Sequence, residues 1–141
     1  MKKTLLICLI AITAIIGCKK DENKVAASKL IGSWRATIEF SQSYENGTLK
    51  YKDTSRYDGA DELNLVFTTT EMKIYEDGDL ENTSAYTYSD NKLTFTDEDG
   101  DKQTLGISFG GDNQFVATDD YTETYNGVVQ RFVSATTFVK K

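Results

Sequence analysis

Ser33-Trp34-Arg35-Ala36-Thr37-Ile38-Glu39-Phe40-Ser41 alternates apolar and polar side chains residue by residue. A strand turns successive side chains to opposite faces, so this stretch predicts a buried row of Trp34, Ala36, Ile38 and Phe40 and a solvated row of Arg35, Thr37, Glu39 and Ser41. The same period returns in Leu63, Leu65 and Phe67, in Met72 and Ile74, in Tyr86 and Tyr88, in Leu93 and Phe95, in Leu105, Ile107 and Phe109, and in Phe115 and Ala117. No helical stripe of comparable length competes with it. Between the runs stand Asn46-Gly47, Asp58-Gly59, Asp77-Gly78, Asp90-Asn91, Asp99-Gly100, Gly110-Gly111 and Asn126-Gly127, residue types that tolerate positive φ or bond their own backbone. Seven turns separate eight strands, and a further turn at Thr69-Thr70 would make nine, so eight or nine strands are expected. Every link is of hairpin length, which leaves no room for Greek-key crossovers and favours an antiparallel up-and-down β-barrel over a sandwich. The absence of proline fits a sheet whose amides are nearly all paired.

Ahead of this domain the sequence has a different character. Lys2-Lys3 is followed by an apolar run from Leu5 to Gly17 and then by Cys18-Lys19-Lys20. Basic, apolar, small is the order of a secretory signal. The fifteen residues between Lys3 and Lys19 would span only about 22 Å as a helix, short of the roughly 30 Å of bilayer hydrocarbon. Ile15-Ile16-Gly17-Cys18 resembles the lipobox of bacterial lipoproteins. The resemblance implies a signal peptide over 1–17, lipidation of Cys18 and a membrane anchor through that lipid. Lys19 in place of aspartate implies, by the same resemblance, sorting to the outer membrane, and Asp21-Glu22 resembles the acidic export signal of surface-exposed lipoproteins. Either the periplasmic or the cell-surface face is therefore open. Residues 18–29 read as a polar tether, and 30–141 as the barrel.

Composition removes whole classes of function. The chain has no histidine and two cysteines, Cys8 and Cys18. Histidine-based acid-base catalysis, histidine-dependent nucleophiles and His-ligated zinc are excluded. Loss of residues 1–17 takes Lys2 and Lys3 and no acid, so the net charge goes from −6 to −8. Nucleic acid, which is held by neutralising its phosphates, is an unsuitable partner. Asp97-Glu98-Asp99-Gly100-Asp101 concentrates acids at one hairpin but lacks the later bidentate glutamate of a calcium loop. No metal, cofactor or enzymatic activity is expected.

Lys29-Leu30-Ile31-Gly32-Ser33-Trp34 resembles the Gly-x-Trp opening of the first strand of lipocalins, and Leu63 to Phe95 is similar to small lipocalin-like domains of bacterial lipoproteins. The resemblance, over roughly Leu30 to Lys140, implies a structural motif of Gly32 and Trp34, with Trp34 closing the barrel bottom beneath a basic side chain from the last strands. Arg131 is the expected partner. It also implies binding of a small apolar or amphipathic ligand. The chain is shorter than a classical lipocalin and lacks the helix that follows the barrel there, so a smaller or filled interior is expected.

An eight-stranded barrel has room for its own side chains or for one small ligand. Phe40, Phe67, Phe95, Phe109 and Phe115 could fill it, yet the phenols of an inward tyrosine row need polar partners. Tyr86, Tyr88, Tyr121, Phe67 and Phe109 are the expected ligand-lining residues, with Tyr86 and Tyr88 at the open end. The alternative is a solid barrel that docks a protein of the cell envelope. The last strand has apolar residues on both faces, Phe132 and Phe138 on one and Val133, Ala135 and Val139 on the other. The N-terminal segment around Val25 to Ile31, or a partner, would cover the outer one.

Overall fold

A computed structural model of the protein describes residues 27–59 and 62–141. Among them nine strands form: β1 (Gly32–Glu45), β2 (Thr48–Arg56), β3 (Leu63–Phe67), β4 (Glu71–Glu76), β5 (Asp79–Ser89), β6 (Lys92–Thr96), β7 (Lys102–Phe109), β8 (Gln114–Tyr125) and β9 (Val128–Lys140). From β3 to β9 each strand pairs antiparallel with the next. β1 closes the ring, because Gly32 to Arg35 pair with β3 while Trp34 to Glu45 pair with β9. Eight strands thus make a closed up-and-down barrel. The ninth, β2, stands outside it, folded back along the outer half of β1 from Ile38 to Glu45.

Short polar turns set this meander. Asn46-Gly47, Asp77-Gly78, Asp90-Asn91 and Asn126-Gly127 have positive φ at both positions, the geometry that matches the right-handed twist of paired strands. In a meander the turns alternate between ends. The links β3–β4, β5–β6 and β7–β8 fall at one end; β4–β5 and β6–β7 fall at the other. Beyond this second end β1, β2, β8 and β9 run on as a four-stranded flange in the order β2-β1-β9-β8.

Where the barrel becomes flange, β1 carries a bulge. Ala36 lies opposite Phe138 but Ile38 lies opposite Thr137, so Thr37 is the extra residue. Its hydroxyl donates to the Thr137 carbonyl at 3.1 Å. One inserted residue exchanges the faces of everything that follows. Glu39, Ser41, Ser43 and Glu45 therefore continue the inner face. The expectation that Ile38 and Phe40 share the inward row of Trp34 is corrected: both lie on the outer face, half-buried. Phe40 is opposite Ala135, and the Lys52 ammonium lies 5.5 Å from its ring centroid.

The core is concentrated at the first end. Trp34, Phe67, Met72, Leu93 and Phe115 are almost wholly buried. Trp34 meets Phe115 edge-on at 4.8 Å, Phe115 stacks on Phe138 at 5.0 Å, and Phe67 meets Tyr86 edge-on at 5.2 Å. A helical turn at 27–30 caps this plug. Leu30 is fully buried, and its carbonyl accepts the Trp34 indole N–H at 2.7 Å. The basic side chain over Trp34 is Lys140, with Nζ 5.4 Å from the ring, and not the expected Arg131. Arg131 stands on the outer face of the flange, where Asp120 accepts from its Nε at 2.8 Å. Gly32 makes room for Lys140: its φ is +132° and an added Cβ would come within 3.2 Å of Lys140 Cε. A left-handed φ beside a close neighbour is a position for glycine alone.

The described part of the N-terminal segment goes to this closed end and not to the outer face of β9. Lys29, within the stretch read as tether, reaches Asp112 at 3.1 Å. On the outer face Ala135 lies between Phe40 and Thr118, and Val133 between Gln42 and Asp120. Cys18 and the segment 1–17 lie outside the described residues.

Candidate functional site at the open end of the barrel

Above the aromatic plug the barrel is not filled. A cavity of about 320 Å³ is walled by Leu63, Leu65, Met72, Ile74, Leu93, Phe95, Leu105, Phe115, Ala117 and Phe138. Leu63, Ile74, Phe95 and Leu105 point inward yet are only half-buried, because no described residue covers them. The polar contribution comes from the strand ends that form the mouth: Glu76 on β4, Asp119 on β8, and Ser134 and Thr136 on β9. Each continues an inward row by two residues, Glu76 after Met72 and Ile74, and Asp119 after Phe115 and Ala117.

The mouth leads onto the inner face of the flange. A groove of about 410 Å³ there shares Asp119 and Ser134 with the cavity and adds Ser41, Ser43, Tyr51, Tyr121 and Phe132. The strand registers order these residues in rows. Tyr51, Ser43, Phe132 and Tyr121 cross the four strands side by side, and Asp53, Ser41, Ser134 and Asp119 form the next row toward the barrel. Tyr121 stacks on Phe132 at 5.2 Å, with 23° between the rings. Tyr51 and Tyr121 remain 54% and 50% exposed, so the aromatic row is open to an incoming molecule.

Electrostatics at the mouth are acidic. The Tyr57 hydroxyl donates to Glu39 at 2.8 Å. Burial first, then that bond and the charges of Glu39 and Glu76, push the Tyr57 phenol far above its ordinary range. Both carboxylates therefore reach the same side of the mouth. Tyr51 is likewise raised, chiefly by the charge of Asp53.

The expected ligand residues divide between two places. Tyr86, Tyr88, Phe67 and Phe109 come together, but in the aromatic plug beneath the cavity. The expected placement of Tyr86 and Tyr88 at the open end is corrected. Both lie at the end of β5 that turns into β6 and point inward, and burial raises both phenols. Tyr86 donates to the Thr68 carbonyl at 2.7 Å and Tyr88 to Asn91 Oδ1 at 3.1 Å, so turn atoms of the closed end take up both hydroxyls. Tyr121 alone stands at the open end, on the groove. Missing from the expectation are Glu76 and Asp119, which extending each alternating run by one more step would have found. The acidic hairpin after β6 is held by its own bonds: Asp97 accepts from the Asp101 amide at 2.8 Å and from Gln103 at 2.6 Å.

No protein-family model matches the chain, and no curated protein matches it in sequence.

Proposed function

We propose that the protein is a non-enzymatic carrier that holds one small apolar or amphipathic molecule in the mouth of its barrel, tethered to the outer membrane through a lipid on Cys18. The observation that carries the binding reading is the half-exposed inward row of Ile74, Phe95 and Leu105 around a cavity of about 320 Å³. Ligand pockets begin at about that volume and are mostly apolar with a few polar groups at fixed places. The wall and mouth have that composition. The lipocalin resemblance and the lipobox support the carrier and anchoring parts of the proposal.

A second reading, docking of an envelope protein, is favoured by the flange, where Leu49, Tyr51, Tyr121 and Tyr125 are exposed. One experiment separates the two. The purified protein is incubated with a lipid extract of the envelope and weighed by native mass spectrometry, beside Ile74→Trp, which fills the cavity. A bound small molecule lost in Ile74→Trp supports the carrier. No adduct on either protein would end that reading and leave the docking surface.

A further inference from the structure

At the open end the inner rows carry acids: Glu39, Asp53, Glu76, Asp119 and Glu123. The outer rows are mixed, with Lys52, Arg56, Lys73 and Arg131 beside Asp120. Among the described strand residues the inner-side cations are Lys140, at the closed end over Trp34, and Lys50, in a bulge of β2 at the flange tip, where it lies 3.5 Å from Glu45. Among the described residues no Lys or Arg pairs with Glu76 or Asp119. The apolar cavity thus opens past two unpaired carboxylates. Immediately beyond Asp119 and Ser134, which cavity and groove share, stand the exposed rings of Tyr121 and Tyr51 and the half-buried ring of Phe132. Aromatic faces attract ammonium groups, most strongly where water is partly excluded.

These features select among amphiphiles. A carboxylate or sulfate head at the mouth would face like charge from Asp119 and Glu76, and a neutral alcohol would gain a hydrogen bond but no charge attraction. An ammonium head would meet opposite charge and ring faces together. Resting on the binding reading above, we infer that the ligand is a single-chain amphiphile with a positively charged amine or quaternary ammonium head. The tail occupies the cavity, and the head lies at Asp119 and Ser134 under the aromatic row.

The test compares decylamine, decyltrimethylammonium, decanol and decanoate by calorimetry at low ionic strength, below their micelle concentrations. Opposite charges about 4 Å apart near a protein surface interact strongly enough for the two cations to bind at least about tenfold tighter than decanoate. High salt should narrow the gap. The double variant Asp119→Asn with Glu76→Gln should erase it. A control pair, Glu71→Gln with Asp112→Asn, removes the same charge from the closed end and should keep it. Equal binding of all four probes would overturn the charge inference while the cavity reading stands. A preference that survives Asp119→Asn with Glu76→Gln, or falls as much in the control, would assign it to the net charge of the domain and overturn the inference. Binding of none would overturn the carrier proposal itself.

Discussion

The two ends of the barrel use the same strands for opposite purposes. At the closed end the inward positions are mostly large and buried: Trp34, Phe67, Phe115 and Phe138 interlock, Leu30 seals them, and Lys140 lies across the indole. At the open end the inward positions are Glu76, Asp119, Ser134 and the flange rows. β2 is exposed along its whole length. Burial and ring packing accumulate where no ligand can enter. Stability and recognition are therefore separable by position along a strand, and substitutions at one end should not behave like those at the other.

The largest effect tests the plug. Trp34→Ala removes a fully buried side chain and its bond to Leu30, and truncations of this kind cost about 3 to 5 kcal/mol. That is a large part of the roughly 5 to 15 kcal/mol that holds a typical domain. Urea unfolding of Trp34→Ala should show a collapsed midpoint or no transition. Tyr121→Ala at the flange, half-exposed, should stay within about 1 kcal/mol of wild type. Similar costs for the two would mean that the flange belongs to the cooperative core.

Much of this division was legible in the alternation, and the misreadings have identifiable causes. The eight barrel strands and their turns follow from period two and from Asn-Gly, Asp-Gly and Asp-Asn pairs. Ile38 and Phe40 did not follow, since the run from Trp34 to Phe40 keeps a perfect alternation across the bulge at Thr37. A pattern of hydrophobicity records which residues are apolar, not the point at which a strand changes face. The lipocalin resemblance points to a basic side chain of the last strands, which suits Arg131, but it does not say where β9 ends. β9 runs to Lys140, and its final residue does the covering. Glu76 and Asp119 stand one step beyond the apolar residues of their runs, a signal easily passed over among 22 acids, and register carries the inward rows on to both.

A moderate effect separates the tyrosines of the plug from the ligand site. Tyr86→Phe and Tyr88→Phe keep the rings and delete hydroxyls that bond Thr68 and Asn91. Each should cost about 0.5 to 1.5 kcal/mol in urea unfolding, with amphiphile affinity unchanged. An affinity loss at constant stability would move the ligand from the mouth into the plug and reverse the assignment of the two ends.

The smallest effect belongs to the outer face of the flange. Arg131 donates from Nε to Asp120 at 2.8 Å and lies over the Tyr44 ring, with about half of each charged side chain in water. The hydrogen bond from Arg131 holds the Asp120 carboxyl below the usual carboxylate range. A carboxyl depressed in the folded state adds stability above its unfolded value, and that contribution disappears as pH falls through the folded one. Solvent exposure limits it, as exposed ion pairs contribute at most about 1 kcal/mol. Arg131→Ala should therefore lower stability only slightly at neutral pH, and the difference should shrink as pH falls below the ordinary carboxylate range and through the lowered value of Asp120. Urea midpoints of the two proteins at several pH values measure it directly. A gap that persisted undiminished in acid could not come from the ion pair, and would instead assign the cost to the lost contact between the guanidinium and the Tyr44 ring.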